Sequence, residues 1–287
     1  MEILQLLDSS PTFLIIATGA LGLVVGSFLN VVIYRLPIMM NRAWTSECRE
    51  HLGEAIPETG EPARFNLLIP ASRCPQCNHR ISALENIPVI SYLFLKGRCA
   101  ECGVAISPRY PIVELTTALL SVITALHFGY NQQMLMALGF TWALVPLFLI
   151  DFDHQILPDS ITLPLLWAGL VLSLFNVFTD AHSSIIGAVA GYLSLWSIFH
   201  LFKLVTGKEG MGYGDFKLLA AIGAWVGWQA LPVVILFSSV VGATIGILLI
   251  VFKGRDHSQT MPFGPFLAAA GWMTLLWGND IIQLYLQ

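Results

Sequence analysis

Apolar residues run along this chain in eight blocks, and the polar residues are swept into the gaps between them. The blocks cover roughly residues 11–33, 111–128, 134–150, 159–178, 183–203, 216–228, 231–252 and 262–278. Most approach the ~20 apolar residues that carry a helix across about 30 Å of hydrocarbon. The sixth is short, and Pro232 blurs its boundary with the seventh. The pattern predicts an all-α polytopic membrane protein of about eight transmembrane helices. One polar gap, residues 35–110, is long enough to fold as a separate unit. The expected organisation is a first transmembrane helix (1–34), a polar insert (35–110) and a membrane-embedded remainder (111–287).

Composition agrees: the 287 residues are 56% hydrophobic and only 11% charged, where soluble domains carry about 25% charged residues. The first apolar block has no basic segment before it and continues to Ile33, so it is expected to remain as a span rather than be removed as a signal peptide. No repeat of fixed period is visible, and nothing points to nucleic acid. The lipid bilayer is the expected surroundings.

The basic residues set the orientation. Arg35, Arg42, Arg49, Arg64, Arg73, Arg80, Lys96, Arg98 and Arg109 lie in the insert, Lys203, Lys208 and Lys217 in a second loop, and Lys253 and Arg255 in a third. These are all 14 Lys and Arg of the chain. With the N-terminus outside, every one falls on the same side, which the positive-inside rule makes cytosolic. The other side holds acids such as Glu2, Asp8, Asp180 and Asp280.

The insert opens with a Glu-rich stretch (Glu47, Glu50, Glu54, Glu58, Glu61) in which residues 42–66 are expected to be loop or short helix without chemistry. Its second half carries Cys74-Pro75-Gln76-Cys77 and, after 21 residues, Cys99-Ala100-Glu101-Cys102. Paired CxxC knuckles at this spacing match a tetrahedral four-cysteine zinc site, in which thiolates replace a core too small to fold alone. Two disulfides or a redox dithiol are the alternatives; a reducing cytosol disfavours the first and the second matched knuckle disfavours the other. His79 reads as a surface or outer-sphere residue, and Cys48 as unpaired and inert. The segment Asn86–Tyr92, held between the knuckles, is expected to form a ledge over the membrane face.

Two aspartates sit where an apolar helix should not tolerate them. Asp151 ends the run Trp142–Ile150, and Asp215 closes Gly212-Tyr213-Gly214-Asp215 just before another apolar block. Ionisable groups at bilayer depth are expensive and mark functional sites. Two carboxyl groups brought close together cannot both ionise, so one keeps a proton, which is the chemistry of an aspartic protease. Asp153 is the weaker candidate beside Asp151, and Asp159 is expected to cap the helix that leads into Ile161. The glycines of the GxGD stretch permit a tight turn or a close backbone approach. No GxSxG, HExxH or Walker loop competes. His127, His182 and His200 are isolated, and the Trp residues fit an aromatic belt.

These residues resemble the type IV prepilin peptidases, the bifunctional leader peptidase/N-methyltransferases of type IV pili and type II secretion. The resemblance is carried by Gly26–Pro37, the two CxxC knuckles, Glu85–Pro88 with Ser91–Leu93, Arg109-Tyr110-Pro111 with Glu114, the aspartate segment ending Leu157-Pro158-Asp159, and the GxGD. It implies a GxGD-type aspartic peptidase, a multi-pass protein of the bacterial inner membrane whose active site faces the cytoplasm. By position the catalytic pair falls on Asp151 and Asp215, and the metal ligands on Cys74, Cys77, Cys99 and Cys102. The implied substrates are prepilins or pseudopilins, cleaved after glycine and then N-methylated on the new N-terminal residue, usually Phe, from S-adenosylmethionine. No residue binding that methyl donor is legible. A proton-coupled carrier or scaffold is the alternative, but a carrier would show broken helices or related halves near the midplane, whereas these acids lie at one face.

Overall fold

The computed structural model describes residues 2–53, 65–253 and 261–286; Glu54, Glu58, Glu61, Arg64 and Arg255 lie outside them. Among the described residues the chain is helical, and its only strand-like pairings are isolated bridges, Arg73 with Arg80 and Arg98 with Ala105. The helices are α1 (Glu2–Ser9), α2 (Pro11–Leu52), α3 (Ile90–Phe94), α4 (Arg109–Phe128), α5 (Gln132–His154), α6 (Asp159–Ser173), α7 (Ala181–Thr206), α8 (Tyr213–Val226), α9 (Leu231–Lys253) and α10 (Gly264–Leu286). Among the described residues five stretches are long and apolar enough to cross a membrane: α2, α4, α5, α7 and Trp228–Leu249. The chain is a membrane protein. α6 and α8, at 15 and 14 residues, fall short of the ~20 that a perpendicular span needs.

Two compact units divide the chain, Met1–Leu126 and His127–Gln287, so α4 groups with α2 rather than with the remainder that follows residue 110. In the first unit, α2 does not stop near residue 33. It runs for 42 residues, from an N-cap at Ser10, whose side chain accepts from the Phe13 amide, to Gly53 in the left-handed region. Residues 42–52, expected as loop or short helix, are therefore the end of this one long helix. The stretch after Pro37 is rich in strong helix formers (Met, Arg, Ala, Glu, Leu), and a proline removes only one backbone hydrogen bond. At 1.5 Å per residue the helix is about 63 Å long, roughly twice the hydrocarbon thickness. Its polar C-terminal half thus forms the first element of the insert. α2 and α4 meet through glycines four apart: a Cβ on Gly22 would lie 2.6 Å from Ala118 Cα, and one on Gly26 2.7 Å from Glu114 Cα. This small-xxx-small seam lets backbones touch where lipid offers no hydrophobic drive. Asn30 Nδ2 sets the register by donating to the Tyr110 carbonyl at 3.1 Å.

In the second unit α8 is the buried centre, with Phe216, Leu218, Leu219, Ala221, Ile222 and Ala224 fully enclosed. It lies against α7 through a glycine pair, since a Cβ on Gly223 would come 2.6 Å from the Gly187 carbonyl carbon. Ser184 Oγ donates to the Ala224 carbonyl at 2.6 Å and Trp225 Nε1 to the Leu165 carbonyl at 2.8 Å, which pins α8 to α7 and α6. α6 ends at Ser173, short of the expected 178. Asn176 takes a positive φ of 52° and breaks the helix, after which the Asp180 side chain accepts from the Ser183 amide and caps α7.

These contacts predict that Gly223→Ala lowers the thermal midpoint in detergent or vesicles, by about 1–3 kcal/mol of overpacking. Gly139→Ala, in α5 with nothing within 4 Å of the new Cβ, should be neutral or stabilising by up to about 1 kcal/mol.

Candidate active site and metal centre

Asp151 lies in the last turn of α5 on the face that buries Leu144, Leu147 and Ile150. That spacing is helical, and it carries the carboxylate inward; Asp151 is 5% exposed. Asp153, two residues on, points the other way and is exposed, which separates the two candidates. The helix then ends at Gln155, in the left-handed region with φ 56°, its amide donating to the Asp151 carbonyl.

Asp215 is the third residue of α8 and is 6% exposed. Its Oδ2 accepts from the Gly212 amide at 3.2 Å, the acidic half of a capping box whose other half a glycine cannot supply. Gly212 itself has φ −86°, and Gly210 and Gly214 are not among the residues with positive φ. Gly214 therefore serves close approach rather than left-handed backbone. A Cβ on Gly214 would stand 2.7 Å from Leu157 Cβ.

A third element completes the site. The Gly264 amide, first in α10, donates to Asp151 Oδ2 at 3.0 Å, so a helix N-terminus faces a carboxylate. A Cβ on Gly264 would meet that oxygen at 2.6 Å and Leu157 Cδ1 at 3.1 Å. Leu157 thus packs against both glycines, beside the two acids. Gly264 did not stand out in the sequence. The available signal was Pro262-Phe263-Gly264-Pro265, a glycine between prolines at the start of an apolar run.

Gly214, next to Asp215, and Gly264, bonded to Asp151, both press on Leu157, which brings the two carboxyl groups to one site. Asp215 Oδ1 is buried without a hydrogen-bond partner among the described residues. The nearest candidate cation in sequence, Lys217, is turned to Asp159, with Nζ–O distances of 2.8 and 2.7 Å. Asp159 accordingly does not cap its helix: Pro158 holds the N-cap and Asp159 pairs with Lys217 across α6 and α8. Partly exposed, that pair contributes about 0–1 kcal/mol. Two buried acids, each with few partners, can hold a water and pass its proton.

In the first unit the four cysteines converge, their sulfurs all within 4.8 Å of one another. Cys74 Sγ–Cys102 Sγ is 3.8 Å and Cys77 Sγ–Cys99 Sγ 3.9 Å. Ligands at about 2.3 Å in a tetrahedron stand about 3.8 Å apart, so the set fits one closed metal site. The two knuckles fold alike. The Cys74 amide donates to the His79 carbonyl and Asn78 N to Cys74 O; the Cys99 amide donates to Val104 O and Gly103 N to Cys99 O. Asn78 and Gly103 occupy the same left-handed position, at φ 58° and 71°. The amides of Cys77 and Gln76 draw the Cys74 thiol down to about 6. The amide at His79 favours the Cys77 thiolate, but desolvation and the sulfurs of Cys102, Cys74 and Cys99 push it up to about 12. Four sulfurs this close cannot all be thiolates without a cation among them.

His79 is not a ligand. Its Nε2 lies 3.1 Å from Glu85 Oε1 and its Nδ1 3.6 Å from Glu101 Oε2, which ties the first knuckle to the second. Glu85 also accepts from the Ser82 amide at 2.8 Å. Beyond the knuckles the Val89 amide donates to the buried Glu114 Oε2 at 2.8 Å, joining the insert to α4.

Residues 20–128 match the family model described as the bacterial peptidase A24 N-terminal domain, and residues 138–247 that of the type IV leader peptidase family. The prepilin leader peptidase/N-methyltransferase of Stutzerimonas stutzeri is 54% identical over 287 residues, covering 100% of this chain and 99% of its own. That of Pseudomonas aeruginosa is 54% identical over 287 residues, covering 100% and 98%. That of Dichelobacter nodosus is 57% identical over 272 residues, covering 93% of each. No solved structure matches the chain significantly.

The bonds to Glu85 carry a pH prediction. Hydrogen bonds from the Ser82 amide and hydroxyl and from His79 lower its carboxyl from 4.5 to about 2. A lowered acid stabilises the fold above its unfolded pKa and stops doing so as pH falls through the folded one. The melting-temperature difference between the parent and Glu85→Gln should therefore hold steady above pH 4.5 and shrink toward pH 2.

Proposed function

The chain belongs to the type IV leader peptidase family, and on that footing we propose that it removes the leader of type IV prepilins or pseudopilins and N-methylates the residue so exposed. It is read here as a multi-pass protein of the bacterial inner membrane, with about eight spans, working at the cytoplasmic face. The observation that carries the peptidase half is the buried Asp151–Asp215 site, in which Asp215 Oδ1 has no partner among the described residues.

Asp151 and Asp215 act as an acid–base pair. One carboxylate takes a proton from a water as its oxygen adds to the scissile carbonyl. The other, protonated, gives its proton to the departing amine, so the pair ends with one proton as it began, and exchange of that proton between the two carboxyls restores the starting arrangement. No covalent acyl-enzyme forms. The Gly264 and Gly212 amides each hold one carboxylate oxygen, so they orient the pair. Gly214 and Gly264, both pressed on Leu157, leave no side chain between backbone and acids. A short basic leader would remain on the side that carries the chain's Lys and Arg, and the hydrophobic helix that follows it would lie among the spans.

The four-cysteine cluster is proposed to hold a structural Zn2+, since a closed thiolate set leaves no position for a catalytic water. S-adenosylmethionine would supply the methyl group. The acids of the insert are already engaged, Glu85 and Glu101 on His79 and Glu114 on the Val89 amide.

The decisive assay incubates purified protein with a prepilin and reads leader loss and methyl gain by mass. Asp151→Asn and Asp215→Asn should each cut the cleavage rate by about 10²–10⁴-fold or more while the protein stays inserted, and Asp153→Asn should be milder. Near-normal cleavage in either of the first two would remove that residue from the mechanism. Metal analysis should find about one zinc per chain that resists mild chelation. Replacing Cys74 and Cys77 together should lose it and loosen residues 72–103, whereas freshly prepared protein with disulfides and no zinc would overturn the assignment.

A further inference from the structure

The expected ledge is a short helix with one bare apolar side. α3 exposes Ile90 (51%), Leu93 (68%) and Phe94 (83%), positions i, i+3 and i+4 that share a helix face. Ile87, one turn earlier, extends the stripe, its carbonyl accepting from the Ser91 amide. A stripe of this kind in water marks a contact surface, and the same compact unit tells what covers it.

Depth decides the occupant. The Val89 amide, immediately before α3, is hydrogen-bonded to Glu114 at 2.8 Å. Glu114 lies five residues into the membrane-crossing helix α4, which starts at Arg109, or roughly 7.5 Å along its axis. At that level α4 already turns apolar side chains outward: Ile112 precedes Glu114, and Leu115 and Leu119 follow it, all exposed. The start of α3 is therefore held at the level of a lipid-facing stretch of a span, not out in the aqueous phase. Lys96 and Arg98, just past α3, are exposed.

We propose that α3 is an interfacial membrane anchor. Ile90, Leu93 and Phe94 enter the boundary between headgroups and acyl chains of the leaflet that the insert faces, and Lys96 and Arg98 lie against anionic headgroups. An apolar stripe with cations at its border is the pattern of a helix lying in the membrane plane. Lipid is the occupant because that one backbone hydrogen bond holds α3 at the depth where α4 turns exposed apolar side chains outward. The anchor goes beyond the proposed cleavage and does not depend on the aspartate pair.

The test places an environment-sensitive fluorescent amino acid at position 94 of the full chain, in phosphatidylcholine–phosphatidylglycerol vesicles whose acyl chains are brominated near the headgroup. Bound zinc and the native melting temperature identify folded samples. Emission from position 94 should be quenched by the brominated lipid and shielded from iodide. A label at position 101, whose side chain is 69% exposed, should show the reverse. Iodide quenching at 94 equal to that at 101 overturns the proposal. So does emission shielded from iodide yet untouched by brominated lipid, because protein would then cover the stripe. If a label at 94 unfolds the insert, position 93 on the same face gives the same reading.

Discussion

Two carboxyl groups buried in an apolar helix bundle are the constraint around which the second unit is organised. Burying an ionised acid without a cation is costly, and among the described residues no lysine or arginine is spent on this pair; Lys217 is committed to Asp159 at the surface. What the fold supplies instead is backbone. The Gly264 amide at the head of α10 and the Gly212 amide at the head of α8 each reach one carboxylate. Each acid thus has enough support to be held in place but not enough to be neutralised, which leaves capacity for a water.

That arrangement demands close backbone packing. α8 is short and enclosed, and it can carry Asp215 to Asp151 only if its neighbours come near. Glycine is what permits this at three levels: Gly223 on Gly187 along α7, Gly214 on Leu157, and Gly264 on Asp151 itself. Any side chain at these positions would push helices apart by atoms that have nowhere to go. In membranes such contacts also replace the hydrophobic drive that water would provide. The same device joins α2 to α4 in the first unit.

The insert solves a different problem. Residues 65–108 have few buried apolar side chains; what draws them together is a convergence of four sulfurs, a histidine bridged by two carboxylates, and the Val89–Glu114 bond to α4. The two knuckles repeat one hydrogen-bond pattern although their sequences share little beyond the cysteines. Glu114, buried at the glycine seam of α2 and α4, joins the span pair to the insert, as Arg35 of α2 does by donating to the Asn66 carbonyl at 2.9 Å.

Much was legible from sequence because membrane physics is blunt. Apolar blocks, segregated Lys and Arg, two CxxC knuckles and two misplaced aspartates are each one-dimensional signals, since each depends on residue type and spacing alone. The four cysteines meet as the spacing implied, and Asp151 and Asp215 share a site. Other features needed the third dimension. The run of α2 through Pro37 to Leu52 turns on local helix propensity outweighing a single lost hydrogen bond. The burial of Asp151 and the exposure of Asp153 follow from which face of α5 meets the core. Asp159 pairs with a lysine 58 residues away instead of capping its own helix, and Gly264 reaches Asp151 across 113 residues. Partners so distant along the chain leave no periodic trace, because only packing decides which backbone amide arrives beside which acid.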